Sequence, residues 1–176
     1  WRTKEDSLVN SANKIILNIQ NNHTVNKNKE SLKKTILKDS FNLFKRRFDN
    51  VNGGFSGSSN KFPKPHDYSF LSRYYYKTKN PDALMIIEKS LYEMKMGGIY
   101  DQIGFGFHRY STDKKWLVPH FEKMLYDQAL IIHAYLDAYQ LTQDDFYKET
   151  VNQLCEYVLR DMTDENGGFY SAEDAD

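Results

Sequence analysis

Apolar residues recur every three or four positions along most of this chain, which is the spacing of helices that bury one face. Six such stretches can be distinguished. The first two carry single stripes, formed by Leu8, Val9, Ala12, Ile15, Ile16 and Ile19, and then by Leu32, Ile36, Leu37, Phe41, Phe44 and Phe48. A shorter third stretch contains Phe70, Leu71, Tyr74 and Tyr75, and Asp67 is its expected cap.

Sequence signals for helix starts support the remaining three stretches. Asn80-Pro81-Asp82 combines a cap, a first-turn proline and an acid, and it opens a fourth helix. The fifth helix, at about 121–140, is apolar on more than one face, so we expect it to be buried nearly all round. Thr142 and Asp145 form a variant capping box for a sixth helix that extends to about Met162. Because no strand is convincing, the fold class is all-α.

All nine glycines fall in three loops, and each loop contains a Gly-Gly pair followed by an aliphatic or aromatic residue, at 53–55, 97–100 and 167–170. A glycine unit after every second helix indicates a repeat of helical hairpins. Such repeats form a solenoid or a closed toroid. Three hairpins would make about half of an (α/α)6 toroid of the six-hairpin glycosidase-like kind, whose other half would cover the exposed inner faces.

Composition narrows the possible function classes. The chain has 24 basic and 24 acidic residues, and this balance argues against nucleic acid as a partner. One cysteine, Cys155, cannot form an internal disulfide, and it falls on an apolar stripe that predicts a buried thiol. No apolar run approaches a membrane span and no signal peptide opens the chain, so we expect a cytoplasmic protein without a membrane partner. Since residue 1 is Trp and no tail signal follows Asp174, we expect a piece of a longer protein.

Residues 97–127 combine aromatic rings with ionisable groups, as a sugar-binding cleft requires, because rings stack on sugar faces and polar groups bind the hydroxyls. The candidate catalytic residues are His108, Arg109, His120, Glu122 and Lys123. The candidate substrate-binding residues are Tyr100, Asp101, Phe107, Trp116, Tyr126, Asp127, Glu173, Asp174 and Asp176. The proline-flanked loop 60–65 either rims the same cavity or only connects hairpins. In a purely structural alternative, His120 and Glu122 serve the start of a helix and the acidic end is a solvated loop.

Three functions remain open on these residues. In the first, one histidine removes a proton next to a sugar carbonyl and the other returns it, while Arg109 or Lys123 stabilises the enediolate. In the second, Glu122 acts with a carboxylate of the acidic end in glycoside hydrolysis. The third is a non-catalytic scaffold that binds a ligand or a partner. We expect neither a metal nor another cofactor, because His108 and His120 are twelve residues apart and no HExxH spacing occurs.

Several phrases together resemble the YyaL-type thioredoxin-domain family, which includes animal spermatogenesis-associated proteins of this type. They are Lys61-Phe62-Pro63, GGIYDQ at 97–102, GFHRYS at 106–111, WLVPHFEKMLYD at 116–127 and GGFYSAEDAD at 167–176. The resemblance implies a thioredoxin-like domain followed by a six-hairpin toroid similar to N-acylglucosamine 2-epimerase. Residues 1–176 would then be the N-terminal half of the toroid, with the thioredoxin-like domain and the second toroid half as partners. Phe105 stands where the family pattern has a third glycine.

Overall fold

The computed structural model describes residues 4–23, 33–55, 57 and 60–175. Its helices are α1 (Glu5–His23), α2 (Ile36–Arg47), α3 (Pro65–Thr78), α4 (Pro81–Met96), α5 (Leu125–Thr142) and α6 (Asp145–Asp161). Its short strands are β1 (Tyr110–Ser111), β2 (Pro119–His120), β3 (Lys123–Met124) and β4 (Ala172–Glu173). The mostly helical fold class is therefore confirmed, with small strands that the sequence did not predict. The chain forms two compact units, residues 1–34 with α1 and residues 35–176 with the other elements.

Two helical hairpins, α3–α4 and α5–α6, make up most of the second unit, and α3 packs against α5. The predicted cap of α4 is confirmed, because the Asn80 side chain accepts a hydrogen bond from the Asp82 amide at 3.0 Å. The other two caps differ from prediction. Asp144, rather than Thr142, caps α6 by accepting from the Phe146 amide at 2.9 Å. Asp67 lies inside the first turn of α3, because that helix already begins at Pro65.

The fifth helix begins later than the sequence suggested and is exposed on one side. Residues 119–120 and 123–124 pair as strands, so α5 begins at Leu125. Leu130 and Leu136 are 45% and 36% exposed. The expectation that this helix is buried nearly all round is thus wrong for the described chain. The buried face consists of Gln128, Ile131, Ala134, Tyr135 and Ala138.

The long loop between α4 and α5 is packed into the core rather than extended into solvent. Its residues Ile99, Tyr100, Phe107 and Trp116 are buried. Two antiparallel strand pairs give the loop its shape: Tyr110 lies opposite His120 in one, and Lys123 lies opposite Glu173 in the other. Because the helices of each hairpin run in opposite directions, the loop meets the N-terminal ends of α3 and α5 at one end of the unit. Of the helices described, none is long and apolar enough to cross a membrane.

Candidate functional site

A cleft of about 310 Å³ opens at the N-terminal ends of α3 and α5. Two exposed aromatic side chains flank it, Phe62 at 42% and Tyr126 at 52% exposure. The loop that carries Phe62 is fixed in place, since the amide and carbonyl of Lys61 exchange 2.8 Å hydrogen bonds with Ser111 of β1. The complete lining is Phe62, Pro63, Lys64, Pro65, His66, Arg109, Tyr126, Asp127 and Leu130. The loop at 60–65 therefore rims this cavity, as one of the two interpretations of its sequence proposed.

Arg109, His120 and Glu122 form a connected polar group beside the cleft. Arg109 Nη1 donates to Glu122 Oε2 at 2.8 Å, and His120 Nε2 lies 3.3 Å from the same oxygen. The hydrogen bond from Arg109, supported by His120, lowers the pKa of Glu122 and keeps it ionised. The His120 ring stacks on Tyr110 at 4.8 Å between centroids. Since α5 begins at Leu125, His120 and Glu122 do not bond the free amides of a helix start.

Asp127 lies in the first turn of α5 and faces the cleft. Burial raises the pKa of its carboxyl group to about 6, although the charge of Arg109 opposes the rise. A carboxyl group with such a pKa exchanges protons near neutral pH, as a general acid or base must. The sequence analysis predicted that Asp127 binds substrate. The raised pKa makes the same carboxyl group a candidate for proton transfer as well.

His108 lies deeper than the sequence-based mechanism requires. Only 7% of the residue is exposed, and its Nδ1 is 3.1 Å from the Phe121 carbonyl oxygen, to which an Nδ1 proton would donate. Burial, together with the charge of Lys123, lowers the pKa of His108, so the ring is neutral at neutral pH. Neither histidine is among the described residues that line the cleft; the His108 ring packs edge-on against Phe121, while His120 packs on Tyr110 beside Arg109 and Glu122. The two histidines thus have separate surroundings.

Lys123 is an internal cation rather than a free catalytic group. It is 5% exposed and donates to Asp101 Oδ2 at 2.8 Å, and its ammonium lies over the Tyr157 ring. Burial alone would raise the pKa of Asp101, but the bonds from Lys123 and two backbone amides lower it to about 2. Tyr157 also donates to Glu173 Oε2 at 2.6 Å. Lys123 and Asp101 therefore hold the loop together, and their assignment to catalysis and substrate binding stays a prediction.

Three aromatic residues proposed to stack on a sugar belong instead to the core. Tyr100, Phe107 and Trp116 are all buried, so none has a ring face open to solvent. The Trp116 indole donates to the Asn52 carbonyl at 2.9 Å, and its ring lies where a Cβ on Gly54 would be. In the described structure these residues pack in the core, and their role in substrate binding stays a prediction.

The acidic residues at the end of the chain contact residues other than those that line the cleft. Glu173 pairs with Tyr157, and Asp174 is exposed and accepts a bond from the Ala175 amide. Asp176 lies outside the described residues. Within the described ranges, no group of three or more His, Cys, Asp or Glu residues is arranged to hold a metal ion.

Gln128 is a positioning residue that the sequence analysis missed. Its fully buried amide accepts from the Phe107 amide at 2.9 Å and donates to the Phe107 carbonyl at 2.7 Å. This pair of bonds connects α5 to the loop that precedes Arg109. The sequence did contain a signal for this role, because Gln128 directly precedes the apolar run 129–132. A side-chain amide that is buried beside such a run needs hydrogen-bond partners.

Comparison with known proteins supplies the evolutionary context. Human spermatogenesis-associated protein 20 is 47% identical over 133 residues, and its mouse counterpart is 44% identical over the same length. The chain is a homologue of spermatogenesis-associated protein 20. The matched region is 73% of this chain but 17% of the human protein, so the chain spans about a sixth of that relative. An uncharacterised Caenorhabditis elegans protein is 37% identical over the whole chain, which spans 24% of it. No family model matches the chain.

The solved structures that superpose on the chain include two described as epimerases and one described as a glucuronyl hydrolase. A sugar epimerase from a ruminal bacterium superposes with a TM-score of 0.71 at 21% identity, covering 80% of this chain and 39% of the epimerase. Cellobiose 2-epimerase from Bacillus thermoamylovorans gives 0.66 at 16% identity, covering 81% and 42%. An unsaturated glucuronyl hydrolase specific for heparin gives 0.64 at 12% identity, covering 79% and 42%. These similarities confirm the six-hairpin toroid fold.

Proposed function

We propose that the cleft between α3 and α5 binds a carbohydrate or similar polyol, and that the protein isomerises or epimerises it. The observation that carries the proposal is the cleft itself, which combines the exposed rings of Phe62 and Tyr126 with the polar groups of Arg109 and Asp127. Rings bind the apolar faces of sugars, and charged groups bind hydroxyls. The fold shared with sugar epimerases supports this proposal.

The proposed chemistry uses His120, which lies beside the cleft, and Asp127, which lines it, to move protons. His120 contacts Glu122, and Asp127 experiences the charge of Arg109. One of the two removes the proton from the carbon next to the carbonyl of an open-chain sugar, and the electron pair moves onto the carbonyl oxygen. Arg109 stabilises the resulting enediolate. The other group returns a proton to the opposite face of the same carbon. His108 is buried and neutral, so Asp127 replaces it in this version.

Hydrogen exchange at the reacting carbon tests this proposal. The full-length protein is incubated in D₂O with aldoses, ketoses and N-acylated amino sugars, and deuterium at C2 is followed by NMR. We expect exchange that falls by about 10²-fold or more in His120→Gln and in Asp127→Asn, the contribution typical of a general acid or base. His133→Gln is the matched control, because His133 is exposed on α5 and, among the described residues, pairs with neither Glu122 nor Arg109.

Other results would favour the other functions. Disaccharides in the same panel report hydrolysis, for which Glu122 and Glu173 would be the carboxylates. Each of these residues is already bonded, to Arg109 and to Tyr157 respectively. Sugar binding without exchange or hydrolysis would instead favour a non-catalytic scaffold. We further propose that residues 1–176 form the N-terminal half of a toroid in a cytoplasmic protein, with the second half and a thioredoxin-like domain as its partners.

A further inference from the structure

A smaller pocket of about 180 Å³ with a basic lining adjoins the candidate cleft. Phe62 and Lys64 line both cavities, and we refer to the two neighbouring cavities together as the groove. The smaller pocket adds Arg47, the last residue of α2. Its lining among the described residues is Arg47, Phe55, Gly57, Asn60, Phe62 and Lys64. One end of the groove therefore carries two cations and no acidic side chain among its described lining residues.

The two cations of this end have no ion-pair partner among the residues that the structure describes. Other basic residues of the same unit do: Lys61 pairs with Asp49, and Arg109 pairs with Glu122. For Arg47 and Lys64, no carboxylate within the described ranges comes within 4.0 Å. A basic side chain that lines a cavity without a partner can supply its full hydrogen-bonding capacity to an anion.

Asp67 is an acid on which the charges of both cations act, and its side chain is engaged with His66. Its Oδ1 lies 3.2 Å from His66 Nε2, and its side chain lines neither cavity. Burial raises the pKa of Asp67, while the charges of His66, Lys64 and Arg47 oppose the rise. The charges of Lys64 and Arg47 both act on the Asp67 carboxyl group, as expected if both side chains lie at the same end of the groove.

The backbone at Lys64 adopts the left-handed conformation, as it does at four other described non-glycine residues. Lys64 has a φ of +48° directly before Pro65. A left-handed conformation costs a residue with a Cβ about 1–2 kcal/mol relative to the right-handed one, and a following proline restricts the backbone further. Residues held in such conformations cluster at ligand-binding sites. Glycine or asparagine would adopt this conformation more readily but would not place an ammonium group in the groove.

We infer that the sugar bound in this groove carries an anionic substituent, a phosphate or a carboxylate, held by Arg47 and Lys64. This inference rests on the proposed function, since it specifies the substrate class of the same site. The sugar ring would lie against Phe62, which borders both cavities, with its reacting carbon toward Asp127. The guanidinium of Arg47 can bind two oxygens of the anion at once, and Lys64 contributes a single charge.

Titration calorimetry of the full-length protein tests the inference with matched probes. Glucose 6-phosphate and glucuronate represent the two kinds of anionic sugar, glucose is the neutral probe, and inorganic phosphate is the anion alone. We expect at least one anionic sugar to bind about tenfold or more tightly than glucose and than inorganic phosphate, and to weaken as salt increases. The preferred probe identifies the substituent as phosphate or carboxylate.

Charge-removing variants locate the anion. Arg47→Gln and Lys64→Gln should each lower the preference for the anionic sugar over glucose about tenfold. Arg46→Gln is the matched control, because Arg46 is the exposed neighbour in α2 and lines neither cavity. Urea unfolding of each variant verifies that the fold is retained.

Two results would overturn the inference without affecting the proposed function. One is equal affinity for neutral and anionic sugars, and the other is an anionic preference that survives in both Arg47→Gln and Lys64→Gln. If none of the sugars binds, the proposed function fails as well. The outcomes for the substrate class and for the function are therefore distinguishable.

Discussion

Gly106 has a φ of +82°, and a Cβ atom at this position would lie 2.8 Å from Cδ1 of Tyr157. Tyr157 cannot move away easily, because it is buried and its hydroxyl is bonded to Glu173. We expect Gly106→Ala to lower the free energy of unfolding by about 3 kcal/mol, from backbone strain and overpacking together. Gly167→Ala is the control, since Gly167 has a φ of +89° with no atom near its Cβ position.

The control separates the two contributions, because Gly167→Ala should cost only the backbone part, about 1 kcal/mol. Urea denaturation of both variants measures the difference. Equal destabilisation would show that the Tyr157 contact adds nothing.

Asp127 should make stability depend on pH. Its pKa is about 6 in the folded chain, against an ordinary value of 3.8, so the folded state binds more protons between these pH values. Stability therefore falls as pH increases from about 4 to 6. Asp127→Asn removes this dependence, and we expect the variant to gain about 2 kcal/mol relative to the native protein between pH 4 and pH 7. Thermal unfolding across this range tests the sign, and parallel pH profiles would contradict it.

The connection between α5 and the preceding loop depends on Gln128. Gln128→Leu keeps the side-chain volume but leaves the amide and carbonyl of Phe107 buried without partners. We expect a loss of about 2–4 kcal/mol in unfolding free energy, because buried unpaired polar groups carry a full desolvation cost. Hydrogen exchange of the Phe107 amide should accelerate in the variant. Unchanged protection of that amide would show that the side chain does not hold it.

Removing Asp101 should destabilise the protein more than removing Lys123, its partner in the ion pair that joins the loop to β3. Asp101→Ala leaves the buried Lys123 ammonium without its nearest anion, whereas Lys123→Met removes the buried charge. We expect Asp101→Ala to cost about 3 kcal/mol and Lys123→Met distinctly less. In the native protein the stabilisation by Asp101 is present above pH 4 and is lost as pH falls toward 2, because its folded pKa is about 2. Chemical denaturation of both variants compares them, and equal losses would contradict the asymmetry.

The second unit leaves several large apolar side chains exposed on different elements. They include Leu117, Phe121, Leu130, Leu159, Phe169 and Tyr170. Exposed apolar area of this extent favours association. We expect the isolated 176-residue chain to form oligomers or to be marginally stable. Sedimentation velocity tests this expectation, and a stable, monodisperse monomer would contradict it.

Helices and turns were predictable from the sequence because their signals are local. The stripes of α4 and α6 and the Asn80 cap depend on residues within one or two turns of each other. The hairpin repeat followed from glycine pairs, and the similarity to toroid structures agrees with it. The error at α5 had a physical cause: residues 119–124 pair with partners elsewhere in the chain, and this pairing delays the helix.

Contacts between distant parts of the chain decided which polar and aromatic residues face the cleft. Lys123 becomes an internal cation because Asp101 and Glu173, 22 residues before it and 50 residues after it, pack around it. Trp116 is a core residue because Gly54 and Asn52 make room for its ring and accept its proton. Phe62 and Tyr126 have the same aromatic character but remain exposed. Residue type determined which side chains could bind a sugar, whereas burial, set by packing across the whole unit, selected the ones that remain accessible.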